Sequence, residues 1–169
     1  VLVVDDNHHM INIVKTILRG FGVKEFFDAR SPSEAMDTLR STPIDLVITD
    51  YAMEPMDGFE FVKHLRTSEH SPNKFLPVIM LTAYSEKSRV EAARDAGVNE
   101  FCTKPVTAVE LYKKVRAIIN APRAFVRTGV YFGPDRRRHV IENFDGEERR
   151  AAERDETVEQ PASKEPLTA

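Results

Sequence analysis

Five polar residues stand where they could act together: Asp5 and Asp6, Asp50, Thr82 and Lys104. Each follows an apolar run: VLVV at 1–4, LVIT at 46–49, VIML at 78–81 and, just before Lys104, the segment 98–102. Carboxylates brought together repel one another, and a hard divalent cation relieves that repulsion. Mg²⁺ suits two carboxylates, a carbonyl oxygen and several waters. A nearby lysine can neutralise an added phosphoryl group, and a threonine hydroxyl can donate to one of its oxygens. Together these are the equipment for phosphoryl transfer to a carboxylate. The chain has no Gly-rich phosphate loop, so a nucleotide cofactor is not indicated.

The elements that must position these residues are legible as alternating patterns. Strand-like apolar runs occur at 1–4, 23–27, 44–49, 76–81 and 98–102. The first, third and fourth are nearly continuous and rich in Val and Ile, as strands buried on both faces are. Helical spacing lies between them. Met10, Ile13, Val14, Ile17, Leu18 and Phe21 form one stripe, and Ser31-Pro32-Ser33-Glu34 reads as a capping box with Pro at the first helical position. Asp57 with Glu60 and Thr107 with Glu110 repeat that signature, and Ser85 can cap a fourth helix at 86–96 with a thin stripe of Val90, Ala93 and Ala96. The fifth helix is expected to bury Val109, Tyr112, Val115 and Ile119, or close neighbours of these. Five β-α units imply an α/β fold: a doubly wound, five-stranded parallel sheet with five helices. In such sheets ligands sit beyond the carboxyl ends of the strands, where the five polar residues fall.

The balance of 24 basic and 27 acidic residues in 169, net −3, argues against a globally basic nucleic-acid binder. The longest apolar runs are far shorter than the ~20 residues of a membrane helix. The single cysteine, Cys102, excludes an internal disulfide and fits a core position in a reducing cytoplasm. His8 and His9, at a helix start, read as solvent-exposed. The chain opens at Val1 within an apolar run and without Met, as a trimmed sequence would.

VLVVDDN at the start, LVITDYAMEPMDGFE at 46–60, VIMLTA at 78–83 and FCTKP at 101–105 resemble the receiver domain of two-component response regulators. The resemblance covers about residues 1–120 and implies a flavodoxin-like sheet of order 2-1-3-4-5. It implies Asp50 as phosphoacceptor, with Mg²⁺ held by Asp6, Asp50 and the Ala52 carbonyl, and by Asp5 through water. Lys104 would pair with the phosphoryl group from beside a cis bond to Pro105, Thr82 would hydrogen-bond it, and Thr82 with Phe101 would form the switch. Partners would be a histidine kinase or histidine phosphotransfer protein, and the chain would catalyse only its own phosphorylation and dephosphorylation. Departures are Glu54-Pro55, where the family has Pro directly after the methionine matching Met53, and Ala52 and Tyr84 at the two variable positions that tune phosphoryl lifetime.

Apolar periodicity stops near Ile119, which places a boundary at 120–122. Residues 121–169 are expected to be a largely disordered tail: net +4 over 123–138, then net −5 over 139–169. Two repeats lie within it, YFGPDRR at 131–137 and FDGEERR at 144–150. Each is read as an aromatic anchor, a Gly turn and an Arg pair for an output protein. Two other function classes stand beside the signalling reading. One is a Mg²⁺-dependent aspartyl-phosphate phosphatase, but those enzymes place Asp-x-Asp after the first strand and carry a cap. The other is a regulator contacting DNA through Arg136-Arg137-Arg138, but the tail has too few apolar residues for a winged helix.

Overall fold

The computed structural model describes residues 1–83, 96–129, 131–135 and 156–158. Its main sheet has five parallel strands: β1 (Leu2–Val4), β2 (Phe27–Ala29), β3 (Val47–Asp50), β4 (Val78–Thr82) and β5 (Glu100–Thr103). Their order is β2-β1-β3-β4-β5, as the resemblance implies. Every residue of β1, β3 and β4 is buried, which is why these stretches read as unbroken apolar runs. The pleat sends alternate side chains to opposite faces. Leu2, Val4, Val47 and Met80 join one core, while Val3, Ile48, Ile79 and Leu81 join the other.

Four helices cover those faces among the described residues: α1 (His8–Gly20), α2 (Pro32–Ser41), α3 (Gly58–Thr67) and α4 (Ala108–Asn120). Ser31 caps α2 by accepting from the Glu34 amide, and Glu34 reaches back to the Arg30 amide. Asp57 and Glu60 form the full reciprocal capping box on α3. The helix expected at 86–96 lies outside the described residues, except that Ala96 stands in a turn.

Two local expectations are corrected. The second strand is Phe27–Ala29, not 23–27. Residues after α1 are still leaving that helix: Gly22 has φ +89°, and the Val23 amide donates to the Leu18 carbonyl. Pairing starts only where Phe27 meets Leu2. The last helix turns a different face inward. Val109, Tyr112 and Ile119 are exposed, while Leu111 is fully buried and Val115 and Ile118 pack partly beside it. Val115 is common to both stripes, so the spacing alone allowed either face.

The chain after Asn120 forms further strands among the described residues. β6 (Phe125–Arg127) pairs antiparallel with β7 (Phe132–Pro134) and with β8 (Glu156–Val158), making a second, three-stranded sheet. Phe125 is fully buried, and Val126 and Tyr131 nearly so. Among the described residues after Asn120, Phe125, Val126 and Tyr131 are therefore packed chain. The second repeat, 144–150, lies outside the described residues.

Candidate functional site

The acidic residues sit where parallel strands end. β1 runs out into Asp5 and Asp6, β3 closes on Asp50, and neighbouring strands in parallel register bring these ends together. Asp5, Asp6 and Asp50 each offer a carboxylate oxygen within 4.8 Å of the others. Asp5 and Asp50 are buried, and Asp6 is exposed. Backbone amides orient the two buried carboxylates. Asn7 donates to Asp5 at 2.8 Å, and Tyr51 donates to Asp50 at 2.8 Å. Asn7 then caps α1 by accepting from the His9 amide, so the turn that holds Asp5 also starts the helix.

Lys104 enters this cluster from the end of β5. Its ammonium lies 2.8 Å from Asp50 Oδ1 and 3.6 Å from Asp5 Oδ2. The Lys104 amide donates to the Thr82 carbonyl at 2.8 Å, which ties the lysine's backbone to the end of β4. The Lys104-Pro105 bond is cis, and so is Glu54-Pro55. Thr82 is buried at the last position of β4, in register with Thr103. Phe101 pairs with Met80 across the strands and packs, half-buried, against the core on the α2–α3 face. Ala52 is exposed in the bend after Asp50, while Tyr84 lies outside the described residues.

One atom stands out electrostatically. Asp5 Oδ2 is buried without a hydrogen-bond partner. Burial pushes the Asp5 carboxyl above the usual range, opposed by the Asn7 amide; the Asp50 charge raises it further, the Lys104 charge lowers it, and the Asp6 charge raises it. Among the described residues, one lysine beside three carboxylates leaves the cluster under-neutralised. A buried oxygen lacking a donor is a site for a hard cation, and the all-oxygen set with two buried carboxylates fits Mg²⁺.

Gly58 was not singled out from sequence as a positioning residue. It opens α3 directly under the site: its amide donates to the Tyr51 carbonyl, and a Cβ there would stand 2.3 Å from the Asp50 carbonyl oxygen. A glycine just inside a capped helix start was the available signal. Cys102 is buried, and burial raises its thiol pKa as expected of a core cysteine.

The family model for the response regulator receiver domain matches residues 1–116. The chain belongs to that family. Among its relatives is the chemotaxis protein CheY-3 of Vibrio cholerae, 36% identical over 118 residues that cover 70% of this chain and 89% of the relative. The solved structure of chemotaxis protein CheY4 from Vibrio cholerae superposes on the receiver with a TM-score of 0.62 at 29% identity, covering 69% of this chain and 95% of that one. The receiver domain of a sensor histidine kinase from Pseudomonas aeruginosa shares the fold, with a TM-score of 0.61 at 23% identity over 71% of this chain and 96% of that one. That structure has a magnesium ion coordinated in its active-site cleft. The receiver's sheet and acidic edge lie within the matched span, while β6, β7 and β8 lie beyond it. No described helix is long and apolar enough to cross a membrane.

Proposed function

We propose that this receiver accepts a phosphoryl group on Asp50 from a histidine kinase or histidine phosphotransfer protein and signals by protein–protein contact in the cytoplasm. The observation that carries the reading is Asp50 itself: buried, oriented by the Tyr51 amide, and within 2.8 Å of the Lys104 ammonium. Asp6, Asp50 and the Ala52 carbonyl would hold Mg²⁺, with Asp5 acting through water. The ion would neutralise charge on the phosphoryl oxygens and on the cluster. Lys104 is placed to follow that charge as it builds on Asp50, because it already bridges Asp50 and Asp5. Thr82, one strand away, supplies a hydroxyl at the same edge, and Phe101 lies behind it on β5 as the packing half of the switch. Phe101 has no hydroxyl, so any signal through it is packing alone. A shift between two pre-existing conformations would carry the output. On this reading the chain catalyses only the phosphorylation and dephosphorylation of its own Asp50 and is not a turnover enzyme.

The test is mass spectrometry after incubation with acetyl phosphate and Mg²⁺. Wild type should gain one acid-stable, base-labile phosphoryl group, and Asp50→Asn almost none. Equal labelling of the two proteins removes Asp50 from the role.

A further inference from the structure

Away from the acidic edge, α3 carries a buried cation that the receiver chemistry does not use. Arg66 is 1% exposed. Its guanidinium donates to the Gly97 carbonyl at 3.1 Å, the Lys74 carbonyl at 2.8 Å and Asn99 Oδ1 at 3.1 Å. These are neutral acceptors; among the described residues Arg66 has no carboxylate partner. What closes over it is the chain after Asn120. The Phe125 ring lies 5.1 Å from Arg66 Cζ, and Phe125, Phe132 and Phe75 form a three-ring cluster with centroids 5.2–5.6 Å apart.

The fit is close at two glycines. A Cβ on Gly133 would meet the Tyr131 hydroxyl at 2.5 Å and Gly97 Cα at 2.8 Å. Gly97 has φ +90°, and a Cβ there would stand 3.1 Å from the Phe132 carbonyl oxygen. The two segments thus meet backbone to backbone, which glycine alone permits. Polar contacts complete the seat. Arg123 donates to the Asn99 and Asp135 carbonyls, the Tyr131 hydroxyl donates to the Pro134 carbonyl, and the Asp135 amide donates to the Ala124 carbonyl. Asn99 is the hub: its side chain accepts from Arg66 and from the Val78 amide, and its carbonyl accepts from Arg123.

We propose that residues 123–129 and 131–135 are an internal ligand of the receiver, a strap seated in a groove between α3 and the 97–100 segment, and that the first repeat is used there. Tyr131 and Gly133, read from sequence as a partner-binding anchor and turn, are spent inside the domain. The second repeat cannot replace the first. It has Phe144 in place of Tyr131, losing the hydroxyl given to Pro134, and Asp145 in place of Phe132, which would set a carboxylate among aromatic rings. The inference is independent of Asp50 chemistry.

The experiment uses the full chain. Amide hydrogen exchange should find the Thr128 and Asp135 amides protected at least about a hundredfold over unfolded rates; protection under about tenfold overturns the proposal. Phe125→Ala and Gly133→Val should each lower Tm by about 5–10 °C, the scale of a core deletion or overpacking in a chain this size, whereas Phe144→Ala leaves Tm unchanged. A Phe125→Ala chain that does not fold also supports the strap. Unchanged Tm in both strap variants, or an equal loss in Phe144→Ala, overturns it. A wild-type dimer that exchanges the segment between copies overturns the internal assignment. Labelling of the folded strap variants by acetyl phosphate should match wild type, which separates this result from the fate of the Asp50 reading.

Discussion

Lys104 reaches Asp50 across an intervening strand: the lysine directly follows β5, β3 carries the aspartate, and β4 lies between them. Strands two apart in a sheet are roughly 9–10 Å from each other. Only a long side chain leaning over the sheet edge covers that gap, and here it closes to 2.8 Å. Lys104→Ala should therefore slow labelling of Asp50 by about a hundredfold, the usual scale for losing one positioned charge at a reacting oxygen. It should also lower Tm in the absence of divalent cations, because Asp5 and Asp50 lose their shared counter-charge. Mg²⁺ should restore much of that Tm. A variant with wild-type labelling kinetics would show that the ion pair is only structural.

Asp5 should be destabilising when no cation is present. Its carboxyl is raised by burial, so the folded state holds its proton more tightly than the unfolded chain does. The sign follows: between the unfolded value near ~3.9 and the raised folded value, the folded state binds more protons, and stability falls as pH rises. Asp5→Asn removes that dependence. In metal-free buffer at neutral pH its Tm should exceed wild type by roughly 2–4 °C, which corresponds to about 1 kcal/mol in a chain of this size. Added Mg²⁺ should stabilise the variant less than wild type. Thermal melts across pH, with and without Mg²⁺, check both statements.

Gly58→Ala should cost more than its chemistry suggests. In an ordinary helix Ala is better than Gly by roughly 0.5–1 kcal/mol. At Gly58 the new Cβ would meet the Asp50 carbonyl oxygen at 2.3 Å. Either α3 moves off β3 or the loop after Asp50 shifts, so the expected effect is a loss of about 1–3 kcal/mol together with slower labelling. Denaturant unfolding and acetyl phosphate kinetics on one protein preparation read both. A stabilised variant would mean the two backbones separate freely.

The inward face of α4 gives a direct contrast. Leu111→Ala should lose about 2–5 kcal/mol, whereas Val109→Ala or Ile119→Ala should change stability by no more than about 0.5 kcal/mol. Urea unfolding of the three variants decides. Tyr112 is expected to be intermediate, because its ring stands edge-on to Phe21, the C-cap of α1, at 5.3 Å although half of it is exposed.

The amino-acid sequence by itself determined the parallel sheet, four of its strands to within three residues at each end, the helix caps at Ser31, Asp57 and Thr107, and the placing of five polar residues at or just after strand ends. These are properties of periodicity and of short-range chemistry: a strand buried on both faces must be largely apolar, and a cap must accept from an amide two or three residues on. Tertiary structure decided what depends on a distant surface. Which face of α4 turns inward depends on the sheet it meets, and the late start of β2 depends on how α1 releases the chain. The seat of residues 123–129 and 131–135 depends on Arg66, Phe75, Gly97 and Asn99, which are scattered through the chain and carry no common pattern. In sequence, an Arg on a helix and a Phe in a polar segment both read as solvent-facing. They became core because each covers the other, and that pairing exists only once the sheet has brought α3 and the start of β5 side by side.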